Sequence, residues 1–399
     1  MATRVQNCLY ERQAARSISM SRSKIKSLPS TNCHFKRSLA LIHYPDMQFL
    51  TMRVLNALAF MPSVLAAALS PIPIDSRSLS DIYAAAQKES GILRVVHGGD
   101  ELNQADALFD AFTAKFPKIN VNHSVDLSKY LDGRINQAFL QNELYADLAI
   151  LQTQHDYDGW EHEGLLLHYK PPSFDKLWPS LTNANGAYLP VFAASFGPFV
   201  FNASVVPTAD IPKSYGDMLD PKWKGKIVLT YPNDDDAVLY LFKLIIQQYG
   251  WEWLDQLLEQ DVQWVRGTDT PSAIMLRDEN KTISFTTYPP AEGWVSVSPV
   301  SDRYMSWTQT SAIFKDTKLP ETAKLLQAYL ISEEFQLTRG VPSVRKDIGN
   351  STIWDSETTD YVTFHQFMED RESVEQLRFV FEDKIGTAQG LSPLIDNIF

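Results

Sequence analysis

The residues of this 399-residue chain that could do chemistry gather where the chain turns. Asn233, Asp234, Asp235 and Asp236 place three carboxylates side by side just ahead of the apolar helical run AVLYLFKLIIQQY. One aspartate is enough to cap a helix, by accepting a backbone N–H of the first turn. The surplus acids suit a second task, the presentation of negative charge to a cationic ligand. Gly98, Gly99 and Asp100 end a short apolar run; glycines there allow close backbone approach to a bound molecule, and equally serve a plain tight turn. Tyr288, Trp294 and Trp307 offer flat faces on which a cationic or planar group could stack, although core packing is the commoner fate of a tryptophan.

The stretch His155, Asp156, Tyr157, Asp158, Gly159, Trp160, Glu161, His162 has metal-ligand residue types. Its two histidines are seven positions apart, two helical turns or about 10 Å, too far to share one ion without a loop between them. No zinc or iron spacing is matched. The chain also lacks a Gly-x-Ser-x-Gly elbow, a His-Glu-x-x-His pair and a Gly-rich Lys-Ser/Thr phosphate loop. Its only cysteines, Cys8 and Cys33, lie in the N-terminal stretch, so the body has no disulfide, no thiolate zinc site and no thiol nucleophile. No catalytic residue and no cofactor is assigned.

The elements that must position these residues alternate. LSDIYAAAQKES (79–90) is a helix, Ile92–Val96 a buried strand, NQADALFDAFTAKFP a helix, INVNHSVDL a strand, RINQAFLQNEL a helix and ADLAILQT a third strand. Strand and helix alternating at this spacing predict a parallel sheet with crossover helices. Ligands approach such sheets at the carboxyl ends of the strands, here Gly98–Asp100, Leu127–Tyr130 and Gln152–Asp156. Beyond them, YLPVFAASFGPFVFN (188–202) and MSWTQTSAIF (305–314) are long extended segments able to cross between two lobes. KGKIVLT and TISFTTYPP read as strands, and PETAKLLQAYLISEEFQLTRG as one long amphipathic helix stopped around Gly340. FHQFMEDRESVEQLRFVFEDKIG forms a helical tail. The fold class expected is α/β, with two lobes joined by two extended hinge strands. The first lobe spans 71–195 and resumes over 306–399 with the C-terminal helices; the second spans 196–305. The ligand-binding residues expected in the cleft are Gly99, Asp100, Ser128, Tyr130, Gln152, Thr153, Asn233, Asp234, Asp235, Thr287, Tyr288, Trp307 and Gln309.

Several segments resemble the bacterial extracellular solute-binding proteins that serve ABC importers, the type II periplasmic-binding-protein class, and especially its branch of ferric-iron binders. PKSYGDMLDPKWKGKIVLTYP (212–232) is similar to that branch's P-x-S-W-x-D-L-x-D-P-K-W-K-G-K-I segment. LSDIYAAAQKESGILRVV resembles the mature N-terminus, FVFNASVVPTADIPKS the hinge strand and following loop, and GVPSVRKDI (340–348) the turn after a helix. The resemblance covers most of residues 79–395. It implies a small-molecule ligand, delivery to a membrane importer where a bacterial-type system exists, a monomer, and a solvent-facing helix start at His155. Ferric binders supply adjacent tyrosines; the matching place reads Thr286, Thr287, Tyr288, so Tyr288 alone would serve iron. Relatives also take thiamine, polyamines, phosphonates or sulfate. Two other readings remain. One is a small-molecule enzyme on the same fold, similar to a thiamine-precursor synthase, with His97 as its residue. The other is a secreted interaction protein whose cleft is blocked by Trp294 or Trp307.

Composition is globular, with 44% hydrophobic residues and a formal charge of −12. Residues 1–70 carry nine Lys or Arg against two Asp or Glu, so the remainder stands at −19. A body this acidic repels phosphate backbones and anionic lipid, which argues against nucleic acid and membrane surfaces as partners. MRVLNALAFMPSVLAAALS (52–70) has the charged start, short apolar run and small-residue end of a secretory signal, too short to span a membrane. Residues 1–51 then form a basic N-terminal extension, either a transit peptide or sequence upstream of the true start; a buried N-terminal helix is the alternative to the signal. Sequons at Asn122, Asn202, Asn280 and Asn350 fit glycosylation on a secretory route.

Overall fold

A computed structural model describes residues 71–338, 342–349, 358–359 and 361–395. The signal and extension expected over 1–70, the helix stop at Gly340 and the Asn350 sequon lie outside these residues.

Ser78 opens helix α1 (Leu79–Ala86) with a reciprocal cap: its hydroxyl accepts from Asp81 N, and the Asp81 carboxylate accepts from Ser78 N. The chain then alternates through β1 (Leu93–Gly98), α2 (Asp106–Lys115), β2 (Val121–Asp126), α3 (Ser128–Leu140), β3 (Leu148–Leu151) and α4 (Gln154–His162). β1 pairs in parallel with both β2 and β3, as the strand–helix alternation predicts. β4 (Tyr188–Phe196) belongs to the same sheet, whose order is β2-β1-β3-β10-β4 once the late strand β10 (Met305–Ile313) inserts antiparallel between β3 and β4. Every residue of β10 is buried. Side chains from the helices meet two of its carbonyls: Gln154 Nε2 donates to the Thr308 carbonyl at 2.7 Å, and Gln327 Nε2 to the Ser311 carbonyl at 3.2 Å.

The chain leaves this sheet at Gly197-Pro198 and enters a second assembly through β5 (Phe199–Asn202). There follow β6 (Val228–Thr230), α5 (Asp236–Tyr249), α6 (Trp251–Leu258), β7 (Gln263–Val265), α7 (Thr270–Arg277), β8 (Ile283–Ser284) and β9 (Trp294–Val297). β5 pairs antiparallel with β8 and β9, and β6 runs parallel to β7. β10 is the return crossing. Helices α8 (Pro320–Leu330), α9 (Glu333–Thr338), α10 (Tyr361–Glu369) and α11 (Arg371–Ile385) complete the chain.

Three expectations are corrected. The single helix over 320–340 breaks at Ile331 and Ser332, because side chains capture the carbonyls that would carry it on. Gln336 Nε2 donates to the Leu330 carbonyl at 2.7 Å and Arg345 Nη1 to the Ile331 carbonyl at 3.0 Å. The strand expected over TISFTTYPP shrinks to Ile283 and Ser284. Beyond it, side chains take over the ladder's bonds: Ser284 Oγ accepts from Thr286 N, and Thr286 Oγ1 from Thr230 N at 2.9 Å. The C-terminal helices do not sit wholly with the first lobe. Their aromatic residues at helical spacing fill the second core: Phe364 and Phe367 lie 5.2 and 5.1 Å from Tyr240, and Phe381 lies 5.2 Å from Trp251.

Gly197 makes the first crossing possible. Its φ is +118°, and a Cβ there would lie 2.3 Å from Tyr304 Cβ and 2.5 Å from the Tyr215 hydroxyl. Gly197→Ala should lower the urea-unfolding stability of the full chain by about 2 kcal/mol or more, from backbone strain and overpacking together. Gly133→Ala is the control: an added Cβ on α3 meets nothing within 4 Å, so helix propensity should leave stability unchanged or slightly raised. Equal effects from the two would contradict this account of the crossing.

Candidate functional site

The carboxyl ends of β1 and β3 and the start of α3 form one wall of a cleft of about 580 Å³, within the usual range for small-molecule sites. Gly98 lets these elements close up. A Cβ there would come within 2.0 Å of Ser128 Oγ, the atom that accepts a hydrogen bond from Gln152 N at 3.2 Å and so ties α3 to β3. Gln104 Oε1 accepts from Asp100 N at 2.8 Å and fixes the turn after β1. The strands β4 and β10 supply the apolar back wall. Phe196 is the hub there, with its ring 4.7 Å from Trp307 and 5.3 Å from Tyr288. Trp307 Nε1 and Gln309 Oε1 are buried on this wall without a hydrogen-bond partner among the described residues.

The second assembly contributes the starts of α5 and α7. Asp235 is the cap of α5, accepting from Val238 N at 2.9 Å. Asp269 occupies the same place before α7, but its side chain makes no capping bond. Three contacts join the walls. Asp100 accepts from Thr268 N and Oγ1 at 2.5 and 2.6 Å, Lys129 Nζ bonds Asp234 at 3.0 Å, and Gln152 Nε2 donates to Asp235 at 3.2 Å.

The acids differ in how their charge is met. Burial raises Asp234, but Arg266 at 3.0 Å and Lys129 outweigh it and hold the carboxyl below its ordinary value. Asp236, the next but one, pairs with Arg378 and lies 3.7 Å from Arg371. Asp100, Asp235 and Asp269 have no ion pair among the described residues. Burial first, then the charges of Asp100 and Asp236, push Asp235 up to about 6. Burial, then Asp100 and Glu101, push Asp269 up to about 7. The site carries more buried negative charge than the protein neutralises.

Of the residues expected from sequence, Gly99, Asp100, Ser128, Gln152, Thr153, Asp234, Asp235, Tyr288, Trp307 and Gln309 line this cleft. Three do not. Tyr130 points to solvent beside Lys129, Asn233 donates through Nδ2 to the Gly386 carbonyl at 3.2 Å, and Thr287 is buried with its hydroxyl 2.6 Å from Ser272 Oγ. Trp294 packs among Val200, Val228, Val265 and Met275, away from the opening. His97 is buried, stacked on Phe192 at 5.8 Å, and is not part of the lining. The helix start expected to face solvent is buried at Asp156, Tyr157 and Trp160. Its apolar residues are needed under β3, where the Tyr157 hydroxyl donates to the Thr310 carbonyl. Sequence reading missed Lys129, Phe196, Thr268 and Asp269, and left Asp236 out of the expected lining that it joins. Thr268, Asp269, Thr270, Pro271 is a helix-start signal that marks a strand-end loop, and it was the available clue.

Residues 117–287 match the sequence model of the bacterial extracellular solute-binding protein family. No curated protein matches by sequence. Among solved structures, the substrate-binding protein of an ABC transporter from Agrobacterium tumefaciens superposes with a TM-score of 0.62 at 16% identity, over 74% of this chain and 96% of that one. AfuA from Actinobacillus pleuropneumoniae, with exogenous fructose-6-phosphate bound, gives 0.56 at 18% identity over 75% and 100%. Iron-bound HitA from Pseudomonas aeruginosa gives 0.54 at 17% identity over 73% and 99%. These relatives are binding proteins rather than enzymes.

A carboxyl raised by folding binds more protons folded than unfolded between the unfolded value, near 4, and the folded one. Its folded form therefore loses stability as pH rises through that window, and the full penalty stands above pH 7. Asp269→Asn should melt higher than the parent at pH 8, by about 2 °C or more, with the difference shrinking toward pH 5. Equal melting at both pH values, or a variant less stable at pH 8, would contradict an uncompensated Asp269.

The segment matched, residues 117–287, is similar to the bacterial extracellular solute-binding proteins, and the chain has the fold of the type II periplasmic binding proteins.

Proposed function

We propose that the protein is secreted and captures a small organic cation in the cleft, the two lobes closing on it about the crossings at Gly197 and before β10. The observation that carries this reading is the meeting of Asp100, Asp235 and Asp269 in a cavity backed by Trp307, Phe196 and Tyr288. An ammonium or thiazolium group supplies the charge these carboxyls lack, and the rings receive its apolar body. The contacts across the cleft from Asp100, Lys129 and Gln152 are of the kind that would hold the lobes closed on a ligand. Delivery to a membrane importer follows where such a partner exists.

The alternatives suit this cleft less well. The lining contains one phenol, Tyr288, and no three metal-ligating side chains among the described cleft residues converge, so a hard ferric ion finds few anionic oxygens. A phosphate or sulfate would meet excess negative charge, because Lys129 and Arg266 are engaged by Asp234. The cavity is open, which argues against a cleft blocked by tryptophan, and the buried His97 leaves the synthase-like reading without its residue at the lining.

Thermal-shift measurements on the full chain with thiamine, spermidine, ferric citrate, a phosphonate and sulfate separate these readings. An organic cation should raise the melting temperature in a concentration-dependent way, and Asp235→Asn or Asp269→Asn should reduce the shift. Stabilisation by the anions alone, or by no member of the panel, would overturn the proposal.

A further inference from the structure

A second constellation lies beside the cleft. Asp132 sits one turn into α3, and His155 and Asp156 open α4. One ligating atom from each lies within 4.8 Å of the others. The two helices are locked together: Leu131 and Ile135 pack with Tyr157 and Trp160, and Trp160 Nε1 donates to Asn136 Oδ1 at 2.7 Å. Asp156 is only 8% exposed, and its Oδ2 makes no hydrogen bond of ordinary geometry among the described residues, although the Asp132 carboxyl and the Thr153 hydroxyl are close by. His155 Nδ1 is likewise buried without a hydrogen bond among the described residues, and its Nε2 stands 3.8 Å from Asp156 Oδ1.

We propose that Asp132, His155 and Asp156 bind one divalent transition-metal ion of the zinc type, at a site separate from the solute cleft. Two carboxyls held this close need a proton or a cation between them. The nearby guanidinium groups are committed elsewhere: Arg371 to Glu375 at 3.0 Å and to Asp236, Arg378 to Asp236. One imidazole nitrogen with two carboxylate oxygens suits zinc better than magnesium or calcium, which favour all-oxygen shells, and three protein ligands leave a position for water. Ligand atoms around zinc stand about 3.3 Å apart, so small side-chain rotations would close the present spacing. The comparable trio Asp158, His365 and Glu369 lacks this opening. His365 Nε2 already contacts both acids, at 3.1 and 3.3 Å, and the Tyr188 hydroxyl donates to Asp158 at 2.6 Å.

The test is a competition titration of the full chain with zinc against a chromophoric chelator at pH 7.5, in a Cys8→Ser, Cys33→Ser background that removes the only thiols. One zinc should bind, about tenfold or more weakly in Asp156→Asn and in His155→Gln, and unchanged in Asp269→Asn. Zinc should also raise the melting temperature of the parent but not of His155→Gln, a response that a packing role for His155 would not produce. If Asp156→Asn fails to fold, His155→Gln and Asp132→Asn decide. No zinc uptake by the parent, equal affinity in the Asp132, His155 and Asp156 variants, or loss in Asp269→Asn alone would overturn the site, the last by placing the ion in the cleft.

Discussion

Lys129 reaches across the cleft to Asp234 at 3.0 Å, and that contact withholds its charge from the other acids of the cleft. Asp234 also takes Arg266, so two cations serve one carboxylate while Asp100, Asp235 and Asp269 have none among the described residues. A partly buried carboxylate without a partner is costly, and it relieves the cost by taking up a proton or a foreign cation. The distribution of basic residues around the cleft is therefore as informative as that of the acidic ones. It turns a row of aspartates, which could have been no more than a helix cap, into a site with unmet charge.

Folding concentrates this charge because the two halves each aim helix starts at the same seam. α3 brings Ser128 and Lys129 from the first sheet; α5 and α7 bring Asp235 and Asp269 from the second assembly. The strands β4 and β10 stiffen the back wall and carry the chain between halves, with Gly197 accepting a backbone conformation and a closeness that a side chain would forbid. Structural relatives at 16 to 18% identity share this framework, and two of them hold different ligands, iron in one and a sugar phosphate in the other. The frame is common, and the chemistry lies in the loops at its strand ends.

Much of the frame was legible from sequence. Period and punctuation marked β1, β2 and β3 and the helices between them, and the glycine-proline pair inside a long apolar run marked the crossing. The strand-end loops named most of the cleft wall. What escaped reading depended on contacts far apart in sequence. Asp269 reads as an ordinary helix start until Asp100 is seen opposite. The breaks after Leu330 and after Ser284 come from side chains of Gln336, Arg345 and Thr286, which compete with regular backbone pairing. The C-terminal helices show amphipathic faces but not which core they cover. The Asp132–His155–Asp156 cluster was hidden because its members come from two helices, whereas the histidine spacing drew attention to His162, which takes no part.

The central claim is that the cleft recognises positive charge through carboxyls that titrate near neutrality. Calorimetric titration with the organic cation that stabilises the protein most, at pH 6.5 in two buffers of different ionisation enthalpy, measures the protons exchanged on binding. The account predicts net proton release, with affinity rising from pH 5 to pH 8 as Asp235 and Asp269 ionise. Proton uptake, or affinity that weakens over that range, would contradict it.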